Sequence, residues 1–122
     1  MNTQLPNTLT FPQQLERIQD NMGTLAEVQP NVMDAFGALH TAGATAGSLD
    51  AKTKELIALA IAVAARCDGC IAFHTHDVLK AGASHEEIAD ALGVAILMGG
   101  GPSVMYATHV VEAIEQFESA GN

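Results

Sequence analysis

Residues 55–74 read ELIALAIAVAARCDGCIAFH, and this stretch decides the fold class. Its apolar run, Leu56 to Ala65, is ten residues long, whereas a membrane-spanning helix needs about 20 residues. A run that is apolar on every side predicts a buried helix at the centre of a helical core. Because Asp50 is a suitable N-cap, we expect this helix to extend from Asp50 to about Arg66.

Five further helices are expected around this segment, because apolar residues recur there at intervals of three and four. Their expected positions are 13 to about 28, 30 to a linker at 42–48, 70 to about 80, 84 to about 99, and 102 to about 117. The sequence shows no strand pattern and no repeat. It therefore predicts a single all-α domain at residues 13–122, with about six helices and a helix-turn-helix around a cysteine motif, preceded by a flexible leader at residues 1–12.

The chain has 122 residues and is acidic, with a net charge of −9 from 5 Lys and Arg against 14 Asp and Glu. This balance disfavours nucleic acids and anionic membranes as partners. Only 16% of the residues are charged while 48% are hydrophobic, so we expect part of the surface to be covered in a homo-oligomer. Residues 1–10 lack the features of a secretory signal, which favours a cytoplasmic protein.

Cys67 and Cys70 form the chemical centre of the sequence, in the motif Cys-Asp-Gly-Cys. In a reducing compartment such a pair is more often redox-active or metal-binding than structural. Two cysteines at this spacing can close a disulfide across the first turn of a helix. Cys70 lies at the expected start of that helix, whose dipole favours the reactive thiolate. His74 follows one turn later, where its imidazole can reach the sulfur and take its proton.

A thiolate at Cys70 can attack a peroxide, and Cys67 can then convert the resulting sulfenic acid to a disulfide. Asp68 opposes this chemistry, because a neighbouring negative charge raises the pKa of a thiol.

Two other interpretations of the motif stay open. Cys67, Cys70 and His74 could hold a metal ion together with His76 or His109, as in a metal-binding or redox-sensing module. Alternatively, the two cysteines could simply be small buried residues of the core.

Glu55 directly precedes the apolar run and has Lys52 and Lys54 beside it, so the residues alone predict a solvent-exposed carboxylate. On a straight helix, the twelve positions from Glu55 to Cys67 would span roughly 18 Å. Contact with the sulfurs would therefore need a bend, the return of the next helix, a bridging water or a neighbouring subunit.

The segment from Glu55 through Cys67, Cys70 and His74 resembles the AhpD-like branch of the carboxymuconolactone decarboxylase family. The connection at residues 81–88 is similar as well, and the resemblance extends over residues 30–117. It implies an all-helical fold, a thiol-dependent peroxidase that reduces alkyl or hydrogen peroxides, and a trimer or hexamer. No metal, flavin or nucleotide cofactor is expected, because the sequence has no Gly-rich phosphate loop after a strand.

By the same resemblance, Cys70 would be the attacking thiol, Cys67 the resolving one, and His74 and Glu55 a proton relay. The partners would be a small hydroperoxide and an external dithiol reductant. One departure is Gly69, which stands where well-studied relatives have a histidine. The decarboxylase branch generally lacks the cysteine pair, and a decarboxylase-like enzyme without redox turnover is the alternative activity.

Overall fold

The computed structural model describes residues 9–121. Six α-helices and no strand are present in this range. They are α1 (Phe11–Val28), α2 (Pro30–Ala44), α3 (Ala51–Ala64), α4 (Asp68–Lys80), α5 (His85–Gly99) and α6 (Gly101–Ser119). The all-α prediction with six helices is confirmed. None of these helices is long and apolar enough to cross a lipid bilayer.

Helix α1 begins two residues earlier than expected. Thr10 is its N-cap in a reciprocal capping box with Gln13, and Pro12 occupies the first turn. Phe11 is buried, and its N–H donates to the Gln116 side chain on α6. The end of the expected leader is therefore part of the folded domain, while residues 1–8 lie outside the described range.

Helix α3 is central, since it packs against α4, α5 and α6. Asp50 caps it by accepting a hydrogen bond from the N–H of Thr53 at 2.7 Å. Leu59 and Val63 are fully buried, as the apolar run predicts. The expectation that all sides of the helix are covered is wrong for this chain, because Ile61 on the opposite face is 62% exposed.

Helix α2 lies at the periphery, on α1 and the start of α3. None of its fifteen residues is buried. Its apolar side chains Val32, Phe36 and Leu39 are all more than half exposed. Lys54 on α3 ties the end of α2 to the domain, because its ammonium donates to the carbonyl of Thr45 at 2.7 Å and to that of Gly43 at 3.1 Å.

The joint between α3 and α4 is a Schellman motif. The N–H of Cys67 donates to the carbonyl of Ala62, and that of Arg66 donates to the carbonyl of Val63. Arg66 adopts a φ of 58°, and it is the one non-glycine residue with a positive φ in residues 9–121. Cys67 is the N-cap of the next helix. The joint therefore ends one helix and begins the other with only three residues between them.

Candidate active site

The cysteine pair lies at the positive end of the α4 dipole. Cys67 and Cys70 form a disulfide, with their Cα atoms 5.2 Å apart. The Cys67 sulfur, as the helix N-cap, accepts a hydrogen bond from the N–H of Cys70 at 3.1 Å. Cys70 is exposed whereas Cys67 is only partly so. Helix α4 begins at Asp68, two residues earlier than the expected start at Cys70, so Cys67 is its N-cap and Cys70 lies in its first turn.

Glu55 and His74 are in direct contact. His74 Nδ1 lies 2.8 Å from Glu55 Oε1, and the two side chains are 23% and 13% exposed. The return of α4 along α3 removes the separation expected on a straight helix. The prediction that Glu55 faces solvent beside two lysines is wrong. Lys52 pairs with Glu87 instead, and Lys54 binds the end of α2.

The Glu55 contact fixes the tautomer of the His74 ring. A carboxylate only accepts hydrogen bonds, so Nδ1 carries the proton that is shared with Glu55. Nε2 is then the nitrogen that can accept a proton from another group. The pair has the chemistry of an oriented general base.

An apolar cavity of about 330 Å³ connects His74 with the cysteines. Three helices line it, through Ile18 and Met22 of α1, Phe36 and His40 of α2, and Cys67, Gly69, Cys70, Phe73 and His74 at the α4 end. A second cavity of about 210 Å³ lies next to it and is lined by Glu55, His40 and His74 among others. His74 therefore lies between a compartment with the sulfurs and one with the carboxylate.

The side chains of α1 and α2 were not predicted to belong to the site. Ile18 and Met22 are four residues apart on one helix, and so are Phe36 and His40 on the next. That spacing places each pair on one helix face, which is the signal that could have indicated a shared surface. What it could not indicate is that both faces meet at the cysteines.

Gly69 is closely covered by helix α1. A Cβ atom at this position would lie 3.3 Å from Cδ1 of Ile18, so a larger side chain needs the Ile18 side chain to move by a few tenths of an ångström.

The remaining candidate histidines lie elsewhere. His109 is hydrogen-bonded to Asp68 at 2.6 Å and lines a separate cleft. His76 is bonded to Asp77 at 2.9 Å and lines a cavity with Phe117. The proposed metal set of two cysteines and two histidines is therefore not assembled in residues 9–121.

One group of side chains could bind a metal ion. Donor atoms of Glu55, His74 and Asp77 all lie within 4.8 Å of one another. Imidazole and carboxylate ligands suit a first-row divalent ion.

The sequence of the chain is similar to those of known proteins. The model of the carboxymuconolactone decarboxylase family matches residues 30–113. The chain belongs to this family. An uncharacterized protein from Cupriavidus necator is 43% identical over 101 residues, which are 83% of this chain and 89% of that protein. An uncharacterized protein encoded in the cox locus of Paracoccus denitrificans is 31% identical over 99 residues, or 81% and 89% of the two chains.

Solved structures of the carboxymuconolactone decarboxylase family have the same fold. A member from Legionella pneumophila superimposes with a TM-score of 0.85 at 44% identity, over 88% of this chain and 96% of that one. A member from Thermotoga maritima, with a suggested involvement in the antioxidative response, has a TM-score of 0.68 at 35% identity over 72% and 91% of the two chains. The family recognised from the sequence is confirmed.

Proposed function

We propose that the protein is a thiol-dependent peroxidase in which Cys70 attacks the peroxide and Cys67 resolves the product. One observation carries the proposal. A helix-start cysteine pair and a glutamate-bound histidine line the same apolar cavity. The greater exposure of Cys70 supports its role as the sulfur that meets the substrate.

In the first step, His74 Nε2 takes the proton of the Cys70 thiol while Glu55 holds the charged ring. The thiolate attacks one peroxide oxygen, and the O–O bond breaks. The leaving oxygen takes the proton from His74 and departs as an alcohol, or as water when the substrate is hydrogen peroxide. Cys70 is left as a sulfenic acid.

In the second step, the Cys67 sulfur attacks the Cys70 sulfenic acid. An S–S bond forms, the S–O bond breaks, and one water leaves. The disulfide at the start of α4 is the product of this step. An external dithiol then returns two electrons and two protons and is itself oxidised to a disulfide.

The cavity favours an organic hydroperoxide over hydrogen peroxide. Its walls include Ile18, Met22, Phe36 and Phe73, against which an alkyl or aryl group can be buried. Each Å² of apolar surface removed from water contributes about 25 cal/mol to binding. Hydrogen peroxide has no such surface, so the same walls contribute nothing to its binding.

The proposal is tested by counting thiols before and after one equivalent of cumene hydroperoxide is added to the reduced protein. We expect two free thiols to fall to none in the unmodified chain, and a sulfenic acid to accumulate at Cys70 in Cys67→Ser. Cys70→Ser should be inactive. Undiminished peroxide turnover by the double serine variant would disprove the thiol mechanism.

A decarboxylase-like activity is the second candidate. The pair of Glu55 and His74 is complete without either sulfur, and the family match is compatible with it. This activity predicts turnover of a lactone acid by the double serine variant and its loss in Glu55→Gln.

We further propose that the chain acts as a homo-oligomer, a trimer or a hexamer. Helix α2 contributes Phe36 and His40 to the cavity although no residue of the helix is buried. In water, a helix of this length owes most of its stability to the packing of an apolar face against other elements. A second copy packed on its exposed apolar side chains would supply that face.

A further inference from the structure

Asp68, which lies between the two cysteines in sequence, is bound across the fold by a histidine. Asp68 Oδ1 accepts a hydrogen bond of 2.6 Å from Nδ1 of His109 on α6. Since the carboxylate only accepts, Nδ1 is the protonated nitrogen. Asp68 is also the acidic residue of the first turn of α4, next to the N-cap Cys67. The Asp68 carboxylate is therefore one residue from the disulfide along the chain, and it lies in a cleft separate from the cysteine cavity.

The His109 ring is held in place by its neighbours. Its centroid lies 4.8 Å from that of Tyr106 and 6.4 Å from that of Phe11, both in tilted arrangements. The cleft around it is lined by Asp68 of α4, by Gln14 of α1 and by Glu112 of its own helix. The charged groups that line this cleft beside the imidazole are thus both acidic.

The charge of Asp68 acts differently on the two redox states of the cysteine pair. The disulfide carries no charge, whereas the reduced pair can carry a thiolate. A nearby carboxylate disfavours the thiolate, while the helix N-terminus favours it. A hydrogen bond from His109 partly neutralises the carboxylate charge. It therefore weakens the unfavourable effect of that charge on the thiolate.

We propose that Asp68 and His109 are positioning residues that set the equilibrium between the Cys67–Cys70 disulfide and the dithiol. The carboxylate favours the disulfide, and the histidine limits that preference. This inference rests on the proposed function only in that the cysteine pair must cycle between the two states. In the equilibrium, an external dithiol supplies two electrons and two protons, the Cys67–Cys70 bond breaks, and the dithiol becomes a disulfide.

The equilibrium is measured directly in dithiothreitol redox buffers, without any peroxide. Free thiols are trapped by alkylation and counted by mass. We expect Asp68→Asn to raise the equilibrium constant for reduction at least threefold, and His109→Leu to lower it at least threefold. For this two-electron couple, each threefold change corresponds to about 14 mV.

The double variant separates an electrostatic role from a structural one. If His109 acts through the Asp68 carboxylate, His109→Leu should have no further effect in the Asp68→Asn background. A second prediction is that the ultraviolet absorbance of the thiolate in the reduced protein rises in Asp68→Asn and falls in His109→Leu.

His85→Leu is the matched control. It breaks a histidine–carboxylate contact of 2.7 Å to Glu118 that joins α5 to α6, and neither residue lines the cysteine cavity. Its equilibrium constant should equal that of the unmodified chain. The inference is overturned if His109→Leu has the same effect with and without Asp68, or if neither single variant shifts the equilibrium. Because no peroxide is used, a protein that lacks peroxidase activity can still show the predicted shifts, so the two failures are distinguishable.

Discussion

His74 is held by Glu55 through Nδ1, which leaves Nε2 as the basic nitrogen of the ring. A general base placed in this way typically contributes a factor of about 10² to 10⁴ to the rate. The contact also orients the ring, since both side chains are largely enclosed between α3 and α4. In the proposed mechanism, proton transfer at the site therefore depends on a single hydrogen bond between two helices.

We expect His74→Gln to slow sulfenic acid formation at Cys70 by about 10²-fold or more. Glu55→Gln keeps a hydrogen-bond acceptor but loses the charge that stabilises the protonated ring, so its loss should be smaller. The measurement is a single-turnover rate with an organic hydroperoxide. His76→Gln is the control, because His76 lies on the same helix and lines a different cavity. Equal rates in His74→Gln and the control would remove His74 from the mechanism.

A second prediction concerns the backbone conformation of Arg66. It occupies the left-handed position of the Schellman motif, where a side chain costs about 1–2 kcal/mol that glycine avoids. Arg66→Gly should therefore stabilise the fold by about 1 kcal/mol and raise the Tm by roughly 4 °C. Thermal unfolding followed by circular dichroism is the test.

Arg17→Gly provides a control of opposite sign. Arg17 is exposed in the middle of α1, where glycine should destabilise the helix by roughly 1 kcal/mol. If Arg66→Gly lowers the Tm as Arg17→Gly does, the left-handed geometry at the joint is not a source of strain.

Helices α5 and α6 meet at a turn that leaves no room for a side chain at Gly99. A Cβ atom built there would overlap the buried Ser103 Oγ and lie 3.1 Å from its Cβ. Gly99→Ala should therefore destabilise the fold by about 1–3 kcal/mol, as overpacking does in other cores. Gly93→Ala, on the same helix with no atom near its added methyl, should be neutral or slightly stabilising. The free energies of unfolding of both variants are measured by chemical denaturation. Equal values for the two variants would contradict the prediction.

The helices themselves could be predicted because their caps and periodicity are local. Ser84 and Glu87 form the capping box that their spacing predicts, and Asp50 caps α3 as expected. The start of α1 was missed although the capping box of Thr10 and Gln13 is a local signal. The contact between Phe11 and Gln116, which is more than one hundred residues away, has no local signal.

The candidate site was only partly predictable for the same reason. Cys67, Cys70 and His74 lie within eight consecutive positions, so helix geometry alone relates them. Glu55 gained its role from the family resemblance, because residue spacing favoured solvent exposure. His40 was missed, since its position depends on how α2 packs against α1 and α3.

At the scale of the whole molecule, the most evident feature is the amount of exposed apolar side chain. Large hydrophobic residues that are more than half exposed occur on α1, α2, α3, α5 and α6. They are Val28, Val32, Phe36, Leu39, Ile61, Val94, Leu97, Met98, Met105 and Val111. Exposed apolar side chains in this number are typical of a chain that forms a protein interface.

We therefore expect the protein to sediment as a homo-oligomer, with a mass that is a multiple of 12.7 kDa. Leu39→Glu should weaken this assembly, because it places a charge on the exposed face of α2. Lys80→Glu, an exposed charge reversal at the end of α4, is the control and should leave the mass unchanged. A 12.7 kDa species at micromolar concentration would contradict the prediction.

The joint at Cys67 gives the protein a spectroscopic reporter of its own redox state. The sulfur that enters the disulfide is also the group that receives the Cys70 amide proton at the start of α4. Reduction removes the bond that holds this sulfur to Cys70, so we expect the hydrogen bond of the Cys70 amide to change. In the proposed cycle, deuterium uptake at residues 66–70 and the amide chemical shift of Cys70 would report whether the cysteine pair is oxidised or reduced. No attached label would be needed.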